Sequence, residues 1–145
     1  MLKIRRVQPP DIIEVIALAY DTLPERYNPV IFNQFYESFP EGFLVVVDEQ
    51  QLIGFLIGIK IAPTIARVLM LSIQSRYRKQ GIGTALLNEF LRIMRHLSVT
   101  EVELEVRTTN RGALAFYKKQ GFLLQHTLKQ FYQNGDDAYV MKKKL

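Results

Sequence analysis

The sequence predicts a mixed α/β (α+β) fold, in which a central, mostly antiparallel sheet is flanked by helices. Strand-like and helix-like segments follow one another in the order β, α, α, β, β, β, α, β, α, β, β. The three strands in the middle are joined by short polar turns, the pattern of an antiparallel meander. A long amphipathic helix then separates the third of them from a strictly alternating strand, the pattern of a parallel crossover. At 145 residues the chain is expected to form a single domain, 1–145. Such a length buries about two thirds of the unfolded surface, enough for a core without metal or disulfide.

Leu2 and Ile4 alternate with polar neighbours as a short first strand ending near Pro9-Pro10. Ile12, Val15, Ile16, Ala19 and Tyr20 recur at helical spacing, so a first helix reaches about Asp21. The proline-rich stretch 23–29 stops it, and Ile31, Phe32, Phe35 and Tyr36 outline a second short helix ending by Pro40 or Gly42. Residues 43–47, 52–61 and 65–73 read as the meander, with Gly54 and Gly58 interrupting its middle strand. The helix opening at Gly81 places Ile82, Ala85, Leu86, Phe90, Ile93 and Leu97 along one side. Residues 101–106 alternate strictly, with Val102, Leu104 and Val106 on one face and Glu101, Glu103 and Glu105 on the other. Asn110 is a suitable N-cap for the helix carrying Ala113, Leu114, Phe116 and Tyr117, which Gly121 ends. Residues 122–128 are strand-like, Asn134-Gly135 marks a reverse turn, and 138–141 form the last strand before a lysine-rich end.

Composition excludes several classes of chemistry. Cysteine is absent, so there is no disulfide, thiolate nucleophile or cysteine zinc site. His96 and His126 are isolated, and no metal is expected. No apolar run reaches the roughly 20 residues of a membrane helix, so the expectation is a cytoplasmic protein with no membrane partner. Nineteen basic and fourteen acidic side chains give a net charge of +5. That balance suits a polyphosphate cofactor as well as a nucleic acid, and direct nucleic-acid binding is not expected.

The segment Arg76-Tyr77-Arg78-Lys79-Gln80-Gly81-Ile82-Gly83-Thr84 lies where an apolar strand gives way to a helix. Its glycines permit a tight turn and close approach, and the first helical turn offers unpaired N–H groups to an anion. No Gly-Lys-Ser/Thr follows at P-loop spacing, and a dinucleotide fingerprint would follow the first strand of a parallel unit. By itself the pattern implies an anionic, phosphate-bearing ligand.

Arg78-Lys79-Gln80-Gly81-Ile82-Gly83 resembles the acyl-CoA signature Arg/Gln-x-x-Gly-x-Gly/Ala of the GNAT acetyltransferase superfamily. Leu104-Glu105-Val106-Arg107, Asn110, Ala113, Phe116-Tyr117 and Gly121-Phe122 are similar to the second half of that fold. The segment 132–141 is similar to the closing hairpin of RimI-like protein N-terminal (Nα) acetyltransferases, and Leu23-Pro24-Glu25-Arg26-Tyr27 resembles their peptide-groove loop. The resemblance covers about residues 4–142. It implies a GNAT fold that transfers an acetyl group from acetyl-CoA to the N-terminal amine of a protein or peptide, as a monomer or homodimer.

The same resemblance implies the site residues. Arg78, Lys79, Gln80, Gly81, Ile82, Gly83 and Thr84 would cradle the CoA pyrophosphate, with Leu71 and Ile73 beside pantetheine and Asn110 as a further ligand. The peptide would meet Leu23, Pro24, Tyr27 and, from the opposite hairpin, Tyr132. Glu105 is the expected general base, with Glu103 its nearest competitor, and Tyr117 the expected donor to the leaving thiolate. The chain departs from the family pattern at Gly112, where alanine is common, and at Arg67, where some members carry a tyrosine or an acidic residue. The second departure leaves the acceptor open between an α-amine, a lysine side chain and a small-molecule amine. A non-enzymatic acyl-CoA sensor is the remaining alternative, disfavoured by the presence of both Glu105 and Tyr117.

Overall fold

Each periodic run settles into the element its spacing predicts, and the elements join one sheet. The computed structural model describes residues 1–145. The strands are β1 (Leu2–Arg6), β2 (Phe43–Asp48), β3 (Gln51–Ala62), β4 (Ile65–Ile73), β5 (Glu101–Arg107), β6 (Leu123–Leu128) and β7 (Ala138–Lys144). The helices are α1 (Ile12–Thr22), α2 (Val30–Ser38), α3 (Ile82–His96) and α4 (Arg111–Lys119). Spatial order in the sheet is β1-β2-β3-β4-β5-β7-β6. Every neighbouring pair is antiparallel except β4 and β5, which α3 connects as a parallel crossover.

The two faces of the sheet carry separate cores. On one, α3 buries Ile82, Leu86, Leu87, Phe90, Leu91 and Met94 against Val102, Leu104 and Val106 of β5 and the same face of β2 to β4. Gly58 makes this packing possible, because a Cβ there would lie 2.3 Å from the Phe90 ring. On the other face, Ile12, Val15, Leu18 and Ala19 of α1 pack with Phe32 of α2 against Phe43, Val45, Phe55 and Ile57. The helical stripe and the period-2 strand pattern therefore meet at the same surfaces.

A bulge in β4 positions the site. Opposite β3, Ile57 pairs with Met70 and Gly58 with Val68, which leaves Leu69 as an extra residue on β4. The inserted residue reverses the alternation: Ala66 and Val68 face the α3 core, whereas Met70 faces the α1 core. Pairing of β4 with β5 stops at the same level, its last rung being Val68 with Leu104. A bulged strand bends and twists locally. β4 and β5 consequently part, leaving a gap between residues 69–73 and 105–107.

Several boundaries differ from the sequence reading by a residue or so, and three departures have a clear physical cause. Helix α3 starts at Ile82, with Gly81 as its cap residue at φ 79°. Strand β7 continues to Lys144, because Lys142 and Lys144 stand opposite Glu103 and Glu101 of β5. Opposite charges in register favour continued pairing there, and Lys142 Nζ lies 3.7 Å from a Glu101 carboxylate oxygen. Asn134-Gly135 sits inside a longer loop, 129–137, in which the Gly135 N–H donates to the Tyr132 carbonyl at 2.9 Å. Asp137 holds that loop open as a defined turn by accepting the Gln130 N–H at 2.8 Å. No helix is long and apolar enough to cross a membrane.

Candidate active site

The gap between β4 and β5 opens into a cavity of about 540 Å³ lined from both faces of the sheet. From the side of α1 and α2 come Leu23, Pro24, Tyr27, Ile31 and Phe35, and the loop 129–137 adds Phe131 and Tyr132. From the side of α4 come Asn110, Ala113 and Tyr117. The strands contribute Arg67, Leu69 and Leu71 from β4 and Glu105 and Arg107 from β5. Eight residues named from the sequence thus meet in one space: Leu23, Pro24, Tyr27, Leu71, Glu105, Asn110, Tyr117 and Tyr132.

Ile73, the last residue of β4, and the turn 78–84 beyond it are not among the residues that line this cavity. Within the turn, Lys79 and Gly81 both adopt positive φ, 62° and 79°, which swings the backbone so that successive N–H groups lead into α3. The N–H groups of residues 79–84 donate to no acceptor within the chain. Six such donors at a helix start form a cradle of the kind that pyrophosphate fits. Arg78 Nε donates to the Ile73 carbonyl at 3.2 Å, which ties its guanidinium to the end of β4. Thr84 Oγ1 accepts from Gln120 Nε2 at 3.0 Å, fastening the start of α3 to the end of α4.

Burial sets the chemistry of the two central groups. The Glu105 side chain is 16% exposed. Desolvation raises its pKa and Glu103 adds to the rise, while Arg67 opposes it, so the carboxyl stands above the ordinary glutamate range. The buried Tyr117 hydroxyl is pushed far up by desolvation, and edge-on packing against Phe122, ring centroids 5.5 Å apart, fixes its ring. Tyr132 is pushed up to about 12, again chiefly by burial. Asn110 caps α4 by accepting the Ala113 N–H at 3.1 Å, which leaves its NH₂ donors for another partner.

Residues 12–122 match the acetyltransferase (GNAT) family. The chain belongs to the GNAT family. It is 30% identical to an N-alpha-acetyltransferase of Sulfurisphaera tokodaii over 96% of this chain and 90% of that protein. Among solved structures, Ard1 from Thermoplasma volcanium superposes with a TM-score of 0.96 at 35% identity, covering 99% of this chain and 97% of the other. Arabidopsis thaliana Naa50, solved with the bisubstrate analogue CoA-Ac-MVNAL, superposes with a TM-score of 0.86 at 25% identity, covering 99% of each chain. Membership of the GNAT family makes the protein an acetyl-CoA-dependent acetyltransferase. No cluster of three or more His, Cys, Asp or Glu side chains is arranged to hold a metal.

Two arginines of this GNAT site carry more of its construction than their sequence context indicated. Arg107 ends β5 and donates to Glu25 in the α1–α2 loop, to Asp136 Oδ2 at 2.8 Å and to Asn134 Oδ1 at 2.9 Å. Its guanidinium also lies 4.0 Å from the Tyr132 ring centroid. One side chain therefore ties both loops flanking the groove. Arg107 appears in the family-like string after Glu105, yet nothing in that string reveals which loops it reaches. Arg67 likewise registers in sequence only as a departure from family pattern, whereas in the fold it faces Glu103 and Glu105.

Proposed function

We propose that residues 1–145 act as one catalytic domain that transfers an acetyl group from acetyl-CoA to the N-terminal α-amine of a protein or peptide. The observation that carries this reading is the gap between β4 and β5, open to both faces of the sheet. A phosphate cradle lies beyond one mouth, and an aromatic and aliphatic groove with a carboxylate lies at the other. Two substrates entering from opposite faces meet inside it, the arrangement that direct transfer in a ternary complex requires. The N-alpha-acetyltransferase relatives and the peptide-bearing analogue on Naa50 support an α-amine as the acceptor.

Acetyl-CoA supplies the acetyl group as a thioester. The turn 78–84 binds the pyrophosphate through main-chain N–H groups, while Leu71, Ile73 and Asn110 align the pantetheine arm. Leu23, Pro24, Tyr27 and Tyr132 hold the first residues of the acceptor. Glu105 takes a proton from the amine, whose nitrogen then forms a bond to the carbonyl carbon as the carbon–sulfur bond breaks. Backbone N–H near Ile73 stabilises the oxyanion. The electron pair leaves on sulfur, and Tyr117, kept protonated by its burial, donates to it. Glu105 on the cavity wall is a carboxylate that suits an incoming ammonium. The reading places this chemistry in the cytoplasm, in a monomer or homodimer.

The test is CoA release with acetyl-CoA and two peptide sets, one with free N-termini and no lysine, the other N-terminally blocked and containing lysine. Release with the first set alone is expected. Release with the blocked set alone would overturn the α-amine reading, and release with neither would point to a sensor.

A further inference from the structure

We propose that Arg67 is a positioning residue for the base: lodged between Glu103 and Glu105 on the cavity floor, it holds the Glu105 carboxylate ionised and turned toward the acceptor. The inference rests on the reading of Glu105 as the base. Arg67 occupies the second-to-last rung of the parallel β4/β5 pairing, directly opposite Glu103, just before the Leu69 bulge parts the strands. Register therefore delivers its guanidinium to the point where the gap begins. Nη2 lies 3.3 Å from Glu103 Oε1, and Nε lies 3.5 Å from Glu105 Oε1. The Nε atom is buried without a hydrogen-bond partner, and the carboxylate it lies against is that of Glu105.

The charges around Glu105 come from several elements. Glu103 and Arg107 flank it on β5, and Arg107 is occupied by Glu25 and Asp136. Across from Glu103 on β7 stands Lys142, whose ammonium is drawn 3.7 Å from Glu101. Tyr132 and Tyr117 line the same cavity with hydroxyls that burial keeps protonated. Arg26 also lines the cavity, with its guanidinium 5.8 Å from the Tyr20 ring centroid, and Arg67 is the cation that lies against Glu105. Two carboxylates side by side, 14% and 16% exposed, oppose each other's ionisation. A base that stayed protonated could not accept the amine proton. With Arg67 the cluster carries one net negative charge, which the acceptor ammonium neutralises on entry.

The experiment is the pH dependence of kcat at saturating acetyl-CoA and a free N-terminus peptide, for wild type, Glu105→Gln, Arg67→Met, Arg67→Lys and Glu103→Gln. Arg67→Met is expected to move the acid limb upward by about one pH unit, since an opposite charge at this range is worth about one to three units. Arg67→Lys should restore most of that shift. Glu103→Gln should move the limb the other way, because it removes a like charge and leaves Arg67 wholly to Glu105. Unmoved limbs in Arg67→Met and Glu103→Gln would overturn the proposal. Should Arg67→Met fail to fold, Arg67→Gln removes the same charge with a polar side chain, and an unmoved limb there overturns it equally. Failure of the underlying reading looks different: Glu105→Gln itself would then retain the wild-type limb.

Discussion

Burial raises the pKa of both Glu105 and Tyr117, and the same physical cause suits them to opposite tasks. A carboxyl pushed upward is a stronger proton acceptor, while a phenol pushed upward remains a donor. Holding Glu105 ionised in the cavity also weakens the fold. A carboxyl whose folded pKa exceeds its unfolded value favours folding fully only while protonated, and that contribution is lost as pH rises through the folded value. Glu105→Gln should therefore melt no lower than wild type at neutral pH, with its advantage shrinking as pH falls toward the ordinary glutamate value of 4.5. Thermal melts over pH, paired with turnover, check this; a variant less stable at neutral pH would contradict it. Gly81 is a second single-residue case. Nothing lies within 4 Å of a Cβ built there, so Gly81→Ala meets no clash, only the strain of φ 79°. That strain is about 1 kcal/mol. The expected result is a higher KM for acetyl-CoA with the peptide KM unchanged, read from initial rates.

Among the elements, the two loops beside the groove depend on one residue from the end of β5. Arg107 links Glu25, Asp136 and the Tyr132 ring, joining chain segments more than a hundred residues apart in sequence. Arg107→Met should raise the peptide KM roughly tenfold or more, because partly buried partners are left without their cation. The KM for acetyl-CoA should stay within about twofold, since the cradle lies on the other side of the sheet. Equal increases in both constants would indicate general loosening of the fold. The strand itself was legible in the sequence, because Glu101 to Arg107 alternates without interruption and one face had to be buried. The helix cap at Asn110 was legible for a similar reason, as a short polar side chain in front of an apolar pattern. The Leu69 bulge was not. Residues 65–73 form an unbroken, largely apolar run, and the extra residue emerges only when β4 is set in register against β3.

For the molecule as a whole, the bulge, the crossover through α3 and the separation of β4 from β5 are one structural event. The sheet stays paired from β1 to β4 and from β5 to β6, and the single parallel seam opens where the site lies. Element order and the glycine turn could be read from periodicity and local chemistry. Contacts such as Arg67 with Glu105 depend on register across that seam, which no local pattern encodes. A peptide carrying both a free N-terminal α-amine and an internal lysine offers the enzyme both classes of acceptor at equal concentration. After incubation with acetyl-CoA, fragment-ion mass spectrometry locates the added acetyl group. The groove predicts a product modified at the α-amine with the lysine untouched; acetylation of the lysine with a free N-terminus remaining would contradict it.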